Sequence, residues 1–160
     1  MSDYMTATVE VPTFALGLVA IQEAIHREGS PNQETAHPDG TTTVVWDQAP
    51  WGEVFDVEET LKTLGIAFDR HSDAKYEYNA ASRLFRPATD AQEASDATIY
   101  TLAERQSVIT VAALEELAET GQLTLEAIRA HIGIPSETVA EWTARQDATT
   151  FLSSAEAMRP

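Results

Sequence analysis

The residues of this chain best suited to chemistry are carboxylates, and one group of them lies at helical spacing. Glu115 and Glu119 are four residues apart, with Glu116 beside them, and no lysine or arginine lies within four residues. On a helix such side chains stand about 5–6 Å apart, close to the interval between phosphates on a nucleic-acid strand. The group therefore predicts a strip of carboxylates that binds a cationic surface on another protein.

A second acidic group comprises Glu53, Asp56, Glu58 and Glu59. Asp56 is a good N-cap, and Glu59 three positions later completes a pattern similar to a capping box. Acids at a helix N-terminus are favoured by about 0.3–1 kcal/mol each, so capping alone accounts for the group. We keep Asp56, Glu58 and Glu59 as a second candidate patch for a partner.

Three potential metal ligands alternate along the chain at Asp69, His71 and Asp73. A continuous strand would place them on one face, and both side-chain types bind zinc or iron. The segment 72–75, SDAK, predicts a turn that breaks this alignment. We therefore predict no metal and no cofactor, with a small metal-dependent hydrolase around Asp69 and His71 as an alternative.

Sequence signatures of catalysis are absent from the chain. There is no G-x-S-x-G elbow, no phosphate-binding glycine loop and no H-E-x-x-H motif. Cysteine is also absent, which excludes disulfides, thiolate metal sites and cysteine nucleophiles. We predict no catalytic residue and a protein that is not an enzyme, although a carboxylate pair could still act as acid and base.

Trp51 lies in the predicted turn 48–52, QAPWG. A buried tryptophan there would belong to the core, whereas an exposed one would be an anchor for a protein partner. Its exposure therefore decides whether it belongs to the candidate interaction site.

Charge sets the class of partner. The 160 residues carry 26 acids and 10 bases, a formal charge of -16, which excludes an ordinary basic nucleic-acid footprint. No basic residue precedes Arg27, and the longest apolar run, 14–21, is far shorter than the roughly 20 residues of a membrane span. We expect no leader, no contact with a membrane and a cytoplasmic location.

The pattern of elements predicts an α+β fold, a small and mainly antiparallel sheet with packed helices and a C-terminal helical subdomain. Hydrophobic spacing and turn residues predict helices over 12–28, 56–64, 111–121, 124–133 and from Ser136, and strands over 41–47, 66–71, 76–79 and 82–86. Residues 98–104 are ambiguous between strand and helix. We predict a sheet domain at 1–87, a linker at 88–97, a mainly helical subdomain at 98–147 and a flexible tail at 148–160.

Residues 124–142 resemble a helix-turn-helix. Ile128, Ile132, Gly133, Val139 and Trp142 are among its apolar and turn positions, but Arg129 replaces a residue that is usually small. The acids Glu137 and Glu141 would face the phosphates of bound DNA, which argues against DNA recognition. The resemblance implies, as an alternative function, a regulator or adaptor acting as a homodimer.

By charge, size and lack of catalytic motifs, the chain resembles the acidic DNA-mimicking anti-restriction and anti-CRISPR proteins of phages and plasmids. The resemblance implies a non-enzymatic inhibitor that occludes the basic nucleic-acid-binding surface of another protein and binds no nucleic acid itself. The predicted contact residues are Glu115, Glu116, Glu119, Asp56, Glu58, Glu59 and Trp51. Two alternatives stay open: the acids serve only solubility, or the partner is unrelated to nucleic acids.

Overall fold

The protein is an α+β fold built on one six-stranded antiparallel sheet, which confirms the predicted fold class. The computed structural model describes residues 3–75, 79–90, 92–101 and 106–146. The strand order across the sheet is β2-β3-β1-β4-β5-β6. The strands are β1 (Tyr4–Pro12), β2 (Gln33–Ala36), β3 (Thr41–Pro50), β4 (Phe68–Ser72), β5 (Ala81–Arg86) and β6 (Ser95–Tyr100).

Helices lie against both faces of this sheet. The α-helices are α1 (Val19–Glu28), α2 (Phe55–Thr63), α3 (Val111–Glu119), α4 (Leu125–Ile132) and α5 (Val139–Arg145), and a 3-10 helix (Thr13–Gly17) precedes α1. We call the sheet face that α1 and α2 cover face A and the opposite face face B. Trp46 of β3 donates from its indole to the carbonyl of Gly29 behind α1, on face A, whereas Arg86 of β5 reaches the carbonyl of Glu137 before α5, on face B.

The core lies mainly between face A and the first two helices. Ala7, Val9 and Val11 of the central strand β1 are buried there, because alternate residues of a strand point to the same face. Leu61 of α2 and Ile21 of α1 complete this layer from the helix side. Within the described residues, no helix is long and apolar enough to cross a bilayer.

Strand β1 is the largest departure from the predicted elements. The predicted helix 12–28 is wrong in its first third, because Pro12 pairs with Thr41 at the end of β1 and a 3-10 turn intervenes before α1 begins at Val19. The alternation of Ala7, Val9 and Val11 with polar residues is the local sequence signal that indicates strand β1.

The boundary between sheet and helices also differs from the prediction. Residues 95–100 form β6, which pairs with β5, so the predicted linker 88–97 ends inside the sheet and the segment 98–104 begins as strand. Of the helices that follow, α5 packs on the sheet, where it contacts β1 and β3 and Trp142 joins the core, whereas α3 and α4 contact each other. Residues 76–78 of the predicted strand 76–79 and the predicted tail 148–160 lie outside the described residues.

The starts of two helices differ from the prediction. Helix α2 begins at Phe55, so Asp56 lies inside its first turn and does not cap it, and the Glu58 carboxylate accepts from the N–H of Val54. Helix α5 begins at Val139 and not at Ser136, after Thr138, which forms a reciprocal capping box with Glu141. The helix predicted over 124–133 begins as expected, because the Thr124 hydroxyl caps α4 by accepting from the N–H of Ala127.

Candidate functional site

The turn that carries Trp51 joins β3 to α2. The N–H of Gly52 donates to the carbonyl of Ala49 at 3.1 Å, and Trp51 has a φ of 57°. With Pro50 before it, Trp51 occupies the position of a type II turn that favours glycine. Gly52 cannot be replaced readily, because a Cβ there would lie 2.4 Å from that of Ser72. The turn therefore holds a bulky residue on a backbone conformation that costs about 1–3 kcal/mol.

The side chain held by this turn is partly exposed. Trp51 is 45% exposed, and Phe55, at the start of α2, is 63% exposed. The acids Glu53, Asp47 and Asp3 lie nearby in the chain or across the turn, where the Trp51 N–H donates to the carbonyl of Asp3 at 2.8 Å. An exposed aromatic with acidic neighbours is suited to a cationic partner, through apolar contact and cation–π attraction.

The second acidic group is not a surface patch. Glu58 is 1% exposed and accepts hydrogen bonds from Arg70 Nε at 3.2 Å and Arg83 Nη1 at 2.9 Å. Arg83 also binds Glu59 at 3.1 Å and both carboxylate oxygens of Asp96 at 2.9 Å. Glu58 is therefore an interior anion that joins α2 to face A, and it cannot contact a partner as predicted.

The remaining acids of this group are also paired with bases of the same fold. Asp56 lies 3.3 Å from the Nε of Arg27 on α1, and Arg83 engages Glu59. The same network holds the pKa of Asp96 at about 2, chiefly through its hydrogen bonds from Arg83 and also through Lys62. The charges of Asp56 and Glu59 are thus partly neutralised by neighbouring arginines, so these two acids are less suited than unpaired carboxylates to contact a cationic partner.

The first acidic group differs from the second in this respect. Glu115, Glu116 and Glu119 lie on α3 with exposed side chains, and the buried residue of that helix is Leu117 between them. Among the described residues, none of the three carboxylates has an ion-pair partner. We call these three residues the α3 strip.

Asp69 and His71 both lie on face B, but each is hydrogen-bonded to a different neighbouring side chain. Asp69 accepts two hydrogen bonds from the Arg86 guanidinium, at 2.7 and 3.2 Å, and His71 Nδ1 is hydrogen-bonded to the Ser82 hydroxyl. Asp73 lies just beyond the end of β4, and its N–H donates to the carbonyl of Thr6 at 3.2 Å; no turn forms at 72–75, since Ser72 belongs to β4. In the described part of the chain, no three or more potential ligands are grouped so that they could hold a metal ion.

A cluster that sequence reasoning missed surrounds Glu10 on face B. In the register of the sheet Glu10 stands between Asp69 of β4 and Thr43 of β3, and Thr43 is hydrogen-bonded to His37 at 2.8 Å. Burial raises the pKa of Glu10, and the negative charges of Asp69 and Asp39 raise it further, against smaller opposing effects of His37 and Arg86. The pairing register of β1 is the signal that would have revealed it.

The segment that resembles a helix-turn-helix forms α4 and α5. The two helices are separated by residues 133–138, longer than the turn of about 3–4 residues in that motif. Val139 and Trp142 of the second helix are buried, and Arg145 is paired with Glu137 at 2.6 Å. The helix that would read DNA is therefore packed on the sheet with its basic residue already paired.

An open groove of about 770 Å³ lies between α4 and the start of β6. Its apolar lining includes Leu125, Ala130, Ile134 and Pro135, and its charged lining is Glu126 and Arg129. Leu125, the first residue of α4, is 73% exposed in this lining. Comparison of the chain with protein-family models, with curated proteins and with solved structures gave no match.

Proposed function

We propose that this protein is a non-enzymatic acidic binding protein that occludes a cationic, nucleic-acid-binding surface of another protein. The observation that carries the proposal is the α3 strip, three exposed carboxylates with no ion-pair partner among the described residues. Carboxylates at about 5–6 Å spacing can contact the side chains that otherwise bind phosphates.

The placement of the bases supports this proposal. Every lysine and arginine in the described part of the chain makes at least one polar contact within the molecule. Arg70, Arg83 and Arg86 are paired with carboxylates of the sheet and of the helix that covers it, and the side chains of these arginines have low exposure. In a chain of formal charge -16, few cations of the described residues are therefore left to offset the exposed acids.

The Trp51 turn supplies a second kind of contact. Aromatic anchors contribute a large share of the binding energy in protein interfaces, and a tryptophan held in a strained turn is pre-ordered for this role. We therefore include Trp51 with the α3 strip as proposed contact residues, and we remove Glu58 because it is buried. Electrostatic steering should make association fast and sensitive to salt.

The test is a competition experiment with a panel of purified nucleases that have cationic DNA clefts, each loaded with a fluorescein-labelled duplex. The protein is expected to displace the duplex from at least one of them, with a midpoint that rises with salt. The triple variant E115Q/E116Q/E119Q is expected to raise that midpoint about tenfold, since three contacts of about 0.5 kcal/mol each sum to about 1.5 kcal/mol, and about 1.4 kcal/mol corresponds to a factor of ten.

The matched control is E23Q/E34Q/D73N, which removes the same charge from exposed carboxylates that lie outside α3 and outside the groove beside α4. It is expected to change the midpoint less than threefold, because net charge alone acts only through weak, screened attraction. If the two triple variants change the midpoint equally, the acids of α3 have no specific contact role and contribute only to solubility. Failure to displace DNA from every member of the panel would contradict the proposal itself.

A further inference from the structure

We propose that the groove between α4 and β6 docks an amphipathic, cationic helical segment of the protein partner. The proposal rests on the proposed function for the sign of the partner's charge, and it adds an apolar recognition element on a different helix. The groove is open to solvent and has a volume of about 770 Å³.

The apolar side of the argument begins with Leu125. It is the first residue of α4, and its position is fixed because Thr124 caps the helix, yet its side chain is 73% exposed. Ile134 and Pro135 face it from the segment after α4 as part of the same lining. A row of i, i+3 or i+4 apolar side chains from a partner helix would cover these residues and remove them from water.

The floor of the groove is closely packed. Gly133 ends α4 with a φ of 92°, and a Cβ at this position would lie 3.1 Å from that of Ala97 on β6. This approach places the end of α4 against β6 at the base of the groove.

Charge selects the occupant. The exposed carboxylate of Glu126 lines the groove, and Asp90 and Glu93 are exposed on the connection that leads into β6. The lining also contains one cation, Arg129, whose guanidinium donates to the carbonyl of Pro135 in the same lining at 3.4 Å. A second copy of this chain would bring another charge of -16, whereas a segment with lysines or arginines beside its apolar face complements the rim.

The probe is a synthetic 18-residue leucine–lysine peptide that forms an amphipathic helix, labelled with fluorescein and titrated with the full chain. A peptide of the same composition but scrambled order has the same charge and no apolar face. The helical peptide is expected to bind saturably and at least tenfold more tightly than the scrambled one. L125N is expected to weaken binding of the helical peptide about tenfold, whereas V111N, at an equally exposed apolar residue on α3, should leave it unchanged.

The outcomes separate the groove from the α3 strip. If E115Q/E116Q/E119Q keeps the affinity for the helical peptide while it loses DNA competition, the groove acts as a separate element, as proposed. Equal binding of the two peptides, or unchanged affinity of L125N, would overturn the groove proposal and leave the strip standing. Self-association of the chain in sedimentation that L125N abolishes would identify a second copy as the occupant and also overturn it.

Discussion

Replacing Glu58 with glutamine tests whether this acid belongs to the interior or to a binding surface. Its carboxylate accepts from Arg70 Nε, Arg83 Nη1 and the N–H of Val54, and its side chain is 1% exposed. In E58Q the amide oxygen can still accept hydrogen bonds, but the amide NH₂ group faces an arginine guanidinium, and both of these groups are donors. Arg70, itself 4% exposed, would then retain Glu53 at 3.9 Å as its remaining carboxylate.

Removal of one partner from a buried ion pair costs about 3–5 kcal/mol, and we expect the lower end because Arg83 keeps Glu59 and Asp96. For a chain of this size about 3 kcal/mol corresponds to a fall in Tm of roughly 6–12 °C. The free energy of unfolding can be followed in urea by the fluorescence of the tryptophans, two of which are buried.

The matched control is E53Q, whose side chain is 55% exposed and joined to Arg70 only at 3.9 Å. Its loss should stay below about 1 kcal/mol, as for exposed ion pairs in general. An E58Q protein within 1 kcal/mol of the parent chain would refute the assignment of Glu58 to the interior. At temperatures where E58Q is folded, DNA competition should match that of the parent chain, because a buried carboxylate does not reach a partner.

Two further predictions concern Glu10 and Trp51. The pKa of Glu10 is raised in the fold above its ordinary 4.5, so the charged form of this side chain opposes folding. E10Q should therefore stabilise the protein increasingly as pH rises through that raised pKa, and it should give no gain in stability below the ordinary pKa. Urea midpoints measured from about pH 4 to about pH 8 test this. A gain that does not vary with pH would contradict this cause. W51G should leave the fold intact, because relief of the left-handed φ offsets part of the loss of a ring that is only 45% exposed, while weakening DNA competition. If W51G instead destabilises the fold and leaves competition intact, Trp51 is a structural residue.

The elements found from sequence are those whose signal is local. The strand at 41–47 and the helix ends at Gly121 and Gly133 follow from β-branched runs and from glycines with left-handed φ. The end of strand β1 is not local in this sense, because Pro12 is equally suited to the first turn of the helix whose spacing begins at Phe14. Pairing with Thr41 across the sheet decides this boundary, and such pairing is not visible in the local pattern.

The candidate site was predictable only where exposure follows from one element. The α3 strip lies on a single short helix, so its spacing was sufficient to place its three glutamates on the surface. Glu58 looked the same in sequence, but its surroundings are set by Arg70 and Arg83, which arrive from two different strands. The carboxylates of Glu10 and Asp69 likewise meet through strand register. Composition and local spacing contain none of this information.

The surface charge of this protein depends on where its few bases are placed. Arg70, Arg83 and Arg86 could each have offset an exposed acid, but the sheet engages them through Glu58, Asp96 and Asp69. The pairs stabilise contact between α2, the sheet and α5, and among the described residues no lysine or arginine pairs with the carboxylates of α3. The interior ion pairs and the unpaired carboxylates of α3 are therefore two results of one distribution of cations. If the α3 strip attracts a cationic partner as we propose, the same distribution serves both the stability of the sheet and that attraction.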